Sequence, residues 1–235
     1  MDETIAFILK SIVERKQIVH NSINANKIVL IKKYPLLKES LDEADIVNAD
    51  GQSVIYASKW LGKPLPERVA GIDLMTKLLE QAYKNQLKVY LFGAKEEVVK
   101  RLINIINKQY ATRIIAGYRN GYFQPEEEND IANEINKSGA NILFVGIPSP
   151  KKENFIKKHR VKLSSVSLLM GVGGSFDVLS GSIKRAPKWM QKIGMEWVFR
   201  LLMEPRKMWK RYLIGNIKFI RLLFDERRNI KHITL

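Results

Sequence analysis

A chain of 235 residues, 46% hydrophobic and 27% charged, can bury a core as one α/β domain or as one domain with a small appendage, and it is not a disordered chain. Zero cysteines exclude a disulfide framework and any thiolate metal site, and suit a reducing compartment. The net charge is +16, and the span from Lys184 to Leu235 holds 14 Lys and Arg against 4 Asp and Glu, so the excess is concentrated where a polyanion, nucleic acid or an anionic membrane, would meet the chain.

The amino terminus, Met1-Asp2-Glu3-Thr4, is acidic and lacks the basic-then-apolar order of a signal peptide. No uncharged apolar run reaches the roughly 20 residues of a spanning helix, so the chain is expected to be soluble or peripheral. Ile5, Ile8, Leu9, Ile12 and Val13 predict an amphipathic helix over Glu3–Glu14. A strand is expected over Gln17–His20, then a polar loop through Asn26, a helix to about Lys33, and another opened by Pro35 and running to Ala44. Asp42-Glu43-Ala44-Asp45 spells a helicase box, but no Gly-x-x-x-x-Gly-Lys-Ser/Thr loop accompanies it and the match is set aside.

Asp45–Asn48 reads as a short strand leading into Asp50-Gly51, and Ser53–Leu61 as a helix. A carboxylate at a strand C-terminus facing the next helix sits where open α/β sheets place ligands, and a helix N-terminus favours anions. Pro64 and Pro66 then stiffen the connection that presents Glu67 and Arg68 before a helix starting near Ile72. Arg68 suits a diphosphate because its planar fork donates bidentately. By spacing alone, Asp-Gly is more often just a turn and Glu-Arg more often a solvated pair.

From there helices and strands alternate: helix 72–85, strand Lys88–Phe92, helix 95–109, strand Arg113–Gly117, helix 126–137, strand Asn141–Gly146, helix 150–160 and strand Ser165–Gly171. Ile142-Leu143-Phe144-Val145 and Val89-Tyr90-Leu91-Phe92 are apolar on both faces, as parallel strands under helices are. The expected fold is a doubly wound, mostly parallel, Rossmann-like α/β sheet. Gly171-Val172-Gly173-Gly174-Ser175-Phe176-Asp177 lacks the third glycine of a dinucleotide fingerprint, which leaves a phosphate- or sugar-approaching turn or a plain tight turn.

After Pro187 the texture changes. Trp189, Met190, Ile193, Trp197, Leu201 and Leu202 interleave with Lys188, Lys192 and Arg200. Four cations and two aromatics crowd Glu204–Tyr212, and a last helix is expected over Ile217–Leu223 or beyond. This basic, aromatic texture fits an interfacial helix on anionic lipid, or an ordinary packed helix with a solvated basic face; the charge bias favours the membrane. The organisation expected is a core over 1–194 and a basic helical appendage over 195–235.

The run Ala49-Asp50-Gly51 with Pro64-Leu65-Pro66-Glu67-Arg68-Val69-Ala70-Gly71-Ile72-Asp73-Leu74-Met75 resembles the signature of the WecG/TagA/CpsF glycosyltransferases. Gly121-Tyr122-Phe123, Ser149-Pro150-Lys151, the 171–177 turn, Arg185-Ala186-Pro187, and Glu196-Trp197 through Arg200 to Glu204-Pro205 extend the resemblance over nearly the whole chain. It implies an inverting glycosyltransferase that works without metal or other cofactor. The donor would be a UDP-sugar, carrying N-acetylmannosamine or a related hexose or hexuronic acid. The acceptor would be an undecaprenyl-diphosphate-linked sugar at the inner face of the membrane. Asp50 then falls on the family's base, Ser22 and Asn24 on its nucleotide-site Thr and Asn, and Arg68 and Asp177 on pocket positions. Gly173 and Gly174 belong to the matching turn. Arg200, Lys207 and Lys210 fall on or near the basic positions of the appendage, with Arg206 and Arg211 beside them, so several cations compete for the phosphate.

Two departures stand out: the Thr-x-Asn-x-Glu loop reads Ser22-Ile23-Asn24-Ala25-Asn26, and Lys152 replaces a pocket Gln. Both are expected to make the site more positive and to favour an anionic donor sugar. No DxD-type pair is visible, and His20, His159 and His232 are scattered. The rival readings are a nucleic-acid-binding α/β protein, a sugar-nucleotide epimerase (which the missing dinucleotide fingerprint opposes) and a non-catalytic membrane scaffold. Homo-oligomerisation is left open.

Overall fold

The structure is a computed structural model that describes residues 1–110 and 114–233; the side chains of Lys207 and of residues 231–233 lie outside the description. In chain order the elements are α1 Asp2–Val13, β1 Ile18–Ile23, α2 Ala25–Ile31, α3 Pro35–Asp42, β2 Ile46–Ala49, α4 Gln52–Trp60 and α5 Gly71–Lys84. They continue with β3 Val89–Gly93, α6 Glu96–Gln109, β4 Ile115–Arg119, a 3-10 turn Pro125–Glu127, α7 Glu128–Lys137, β5 Ile142–Gly146, α8 Lys151–His159, β6 Leu168–Gly171 and α9 Ser175–Leu179. The basic end folds as α10 Lys188–Lys192, α11 Glu196–Met203, α12 Pro205–Trp209, a π turn Lys210–Ile214 and α13 Gly215–Ile233.

The strands form one six-stranded parallel sheet in the order β2-β1-β6-β5-β3-β4, the doubly wound architecture the alternation predicts. β3 and β5 are buried along their whole length, which is why their residues are apolar on both faces. Gly93 follows from this close pairing: it sits at φ +142, and a Cβ there would lie 2.4 Å from the Gly146 carbonyl carbon, so only glycine fits.

Where element boundaries move, side-chain satisfaction explains it. β1 continues to Ile23 instead of stopping at His20, because Asn21 is buried and donates from Nδ2 to the Ser40 carbonyl at 2.9 Å. A polar residue with a partner does not end a strand. Asn24 then caps α2, its Oδ1 accepting from the Lys27 amide at 3.1 Å. In α1, Ile5, Ile8 and Ile12 are buried as expected, but Val13 is 83% exposed and Ser11 takes the inner position, its hydroxyl bonded to the Phe7 carbonyl. Strand β4 begins at Ile115; the expected start at Arg113 lies outside the described residues. Strand β6 is shorter than expected and the last helix longer. The helicase-like Asp45 is structural: its Oδ2 accepts from the Val19 amide at 2.8 Å and from Arg160 at 3.1 Å.

The chain divides into two compact units that are discontinuous in sequence. The first comprises Met1–Asn21, Glu39–Val47 and Gly71–Lys184, with a core that includes Tyr90, Phe92, Leu143, Val145, Phe155 and Leu169. The second comprises Ser22–Lys38, Asn48–Ala70 and Arg185–Leu235. Strands β1 and β2 begin in the first unit and run out into the second, so the loops at their C-terminal ends belong with the basic end of the chain. In the second unit Phe219 of α13 is buried against Ala25 and Ala57, and Trp60 meets Phe224 edge-on at 5.2 Å with Arg227 stacked 4.2 Å from its ring.

Candidate active site

The second unit carries Ser22 near the end of β1, Asn24 and Asp50 on the turns after β1 and β2, and Arg68 on the connection between α4 and α5. The Asp50 amide donates to the Ile23 carbonyl at 2.9 Å, which ties the end of β2 to the end of β1. The two turns lie close together: a Cβ built on Gly51 would lie in van der Waals contact with Asn24 Cβ, at 3.4 Å. Ser22 is buried and Asp50 is half-buried.

Arg68 is pinned. Its Nε donates to the Asp50 backbone carbonyl at 2.7 Å, one terminal nitrogen pairs with Glu196 Oε2 at 2.8 Å, and the other donates to the Gln191 carbonyl at 3.4 Å. Next to it, the Val69 amide donates to the Ala49 carbonyl at 2.9 Å. Arg185 reaches the other oxygen of Glu196 at 3.9 Å, and the Gln191 side chain donates to the Ala186 carbonyl at 2.6 Å. The sequence singled out Arg185-Ala186-Pro187 and Glu196-Trp197 as motifs without assigning them a task. Their charges meet only once the chain is folded.

Of the tail cations, Arg200 is half-buried on α11 while Arg206 and Lys210 are exposed. Lys210 lies 5.4 Å from the Trp209 ring centroid and Arg211 5.6 Å from that of Tyr212. Lys207 falls on α12, its side chain outside the described residues.

The first unit gathers the remaining candidates. Lys152 is buried with its stem along Gly171, where a Cβ would lie 2.7 Å from Lys152 Cε. Its ammonium approaches Gly173, whose φ of +54 forms the turn, and Asp177 Oδ2 lies 3.8 Å from where a Gly174 Cβ would be. Lys152, Gly173, Gly174 and Asp177 are therefore neighbours in the first unit. Lys152 Nζ lies 3.1 Å from Glu153 Oε1 and 2.7 Å from Ser149 Oγ, which itself donates to Glu153 at 2.9 Å. This buried ammonium therefore has a carboxylate of the chain beside it.

Among the described residues no three His, Asp or Glu side chains converge as a metal site. No helix among them is long and apolar enough to cross a membrane.

The model of the glycosyl transferase WecG/TagA/CpsF family matches residues 1–233. Two relatives are named N-acetylglucosaminyldiphosphoundecaprenol N-acetyl-beta-D-mannosaminyltransferase. The one from Bacillus spizizenii is 38% identical over 179 residues, covering 76% of this chain and 68% of its own length. The one from Bacillus subtilis is 35% identical over 191 residues, covering 81% and 73%. With its parallel α/β sheet and a match running essentially end to end, this chain is a glycosyltransferase and belongs to the WecG/TagA/CpsF family.

Proposed function

We propose that the protein transfers N-acetylmannosamine, or a closely related hexose or hexuronic acid, from a UDP-sugar to an undecaprenyl-diphosphate-linked sugar, with inversion and without a metal, in the synthesis of a cell-wall polymer. The observation that carries this reading is Asp50, held half-exposed at the C-terminal end of β2 beside Asn24, in a chain whose relatives bear the names given above. The Asp50 carboxylate accepts the proton of the acceptor hydroxyl as its oxygen bonds to the anomeric carbon. The bond from that carbon to the diphosphate breaks on the opposite face, and UDP leaves with the electron pair. General-base assistance of this kind contributes typically 10²–10⁴-fold. Cations of the chain, with Arg200, Arg206, Lys207 and Lys210 the candidates, stabilise the charge gathering on the diphosphate. The basic, aromatic tail docks the enzyme on the inner face of the membrane, where it closes over the nucleotide.

The test is a panel of UDP-sugars against short-chain lipid-diphosphate-sugar acceptors, read by product mass. The expected product is acceptor plus one N-acetylhexosamine, and absence of transfer with every UDP-sugar overturns the reading. In the same assay Asp50→Asn is expected to lower kcat at least about 100-fold while UDP affinity stays near that of the parent; near-normal turnover removes the base assignment. A nucleic-acid reading finds no support in the second unit, where the exposed cations stand among exposed apolar side chains such as Leu202 and Ile217.

A further inference from the structure

Asp50 is held through its backbone on both sides. Its amide donates to the Ile23 carbonyl at 2.9 Å and its carbonyl accepts from Arg68 Nε at 2.7 Å. The second bond depends on where the Arg68 fork points, and that fork is aimed by Glu196 from the first turn of α11 at 2.8 Å. Both partners of the pair are mostly withdrawn from solvent, 18% and 20% exposed, so their geometry is more restrained than that of a surface pair. Arg185 on the far side of Glu196, and the Gln191 carbonyl on the second Arg68 nitrogen, close the arrangement. Three donor nitrogens of Arg68 are thus directed at groups of the chain itself.

We infer that Glu196 is a positioning residue for the transfer: it holds Arg68 as a strut on the Asp50 carbonyl, so that the base is aimed only when α11 is in place. The inference rests on the assignment of Asp50 as base. It gives Arg68 a task different from binding the diphosphate, and the two roles differ in sign when Glu196 is changed. As a strut, Arg68 loses its aim without Glu196 and chemistry slows. As a diphosphate ligand restrained by Glu196, it would be released and nucleotide would bind more tightly.

The experiment compares Glu196→Gln, Glu196→Asp and Arg68→Lys with the parent, measuring kcat, donor KM, UDP affinity by calorimetry and the pH profile of kcat. Glu196→Gln is expected to lower kcat by about 10- to 100-fold, the scale of a small misplacement of a reacting group, with the acid limb of the profile displaced. Donor KM and UDP affinity should stay within about twofold. Glu196→Asp should recover part of the loss. Arg68→Lys should lose kcat as Glu196→Gln does, since a point charge cannot bridge a carbonyl and a carboxylate, and combining the two should cost little more than either alone. An unchanged kcat in Glu196→Gln, or a UDP affinity raised about tenfold, overturns the inference. Asp50→Asn, run alongside, separates the readings. If it retains turnover the base assignment fails, whereas if it is inactive while Glu196→Gln is normal, only the strut fails.

Discussion

Gly171 shows how a single missing side chain shapes its surroundings. Because it has no Cβ, the Lys152 stem lies flat against β6 and delivers its ammonium to Ser149 and Glu153. The carboxylate that meets this ammonium stands one residue later in the chain. His159 is a second residue whose behaviour depends on its surroundings. Burial among the side chains of α7 and α8 holds its imidazole below the ordinary value of 6.5, opposed by Glu128 at 3.4 Å and aided by Lys158 and Lys162. A histidine whose folded pKa is depressed takes up protons more readily when unfolded. Its contribution is therefore fully present above about pH 6.5 and is lost as pH falls below that value and through the lower folded-state pKa. Replacing His159 by Phe, which retains the stack on Phe155 at 4.9 Å, should flatten the decline of the urea midpoint between about pH 7 and about pH 5. An unchanged slope would mean that other groups set the acid sensitivity.

At the scale of elements, α13 and α2 are the instructive pair. The tail reads as a membrane helix by its cations and aromatics, yet one side of it is a packing face: Phe219 is 4% exposed against Ala25 and Ala57. Gly215 at its start lies beside Asn26, with 3.7 Å between a Cβ built there and Asn26 Oδ1. Phe219→Ala should cost about 3–5 kcal/mol locally, since a buried aromatic leaves a cavity. The expected readout is faster trypsin cleavage after Lys218 and Arg221 and faster amide exchange in α2 and α13, with the first unit's exchange unchanged. Equal protection in parent and variant would show that α13 does not depend on this contact. The packing also explains why truncation after Gly194 is a poor probe of the tail: it would uncover Ala25 and Ala57 and take Glu196 from Arg68 together.

For the molecule as a whole, the excess of +16 and its concentration beyond Lys184 make the tail the place to test membrane docking. The solvent side of α13 offers Ile217, Ile220 and Phe224, each more than half exposed, among Lys218, Arg221 and Arg228. Changing Ile217 and Ile220 to Glu spares the buried face. It should reduce binding to vesicles rich in phosphatidylglycerol by more than about tenfold, because two inserted side chains are lost and two charges reversed near anionic lipid. Binding that persists but vanishes at high salt would assign docking to the cations alone. Binding that persists at high salt would move the docking surface elsewhere.

The order of strands and helices, the buried β3 and β5, the glycine turn and the acidic residue after β2 were all legible in the sequence. Each is written in local periods of two or 3.6 residues and in the few residue types a tight turn accepts. Tertiary structure alone decided which charges meet. Glu196 lies 128 residues from Arg68, and Gln191 lies 123 from it, and no local rule links positions so far apart. Tertiary structure likewise placed the turns after β1 and β2 in one compact unit with the basic tail, because packing groups residues by contact in space and takes no account of their order along the chain.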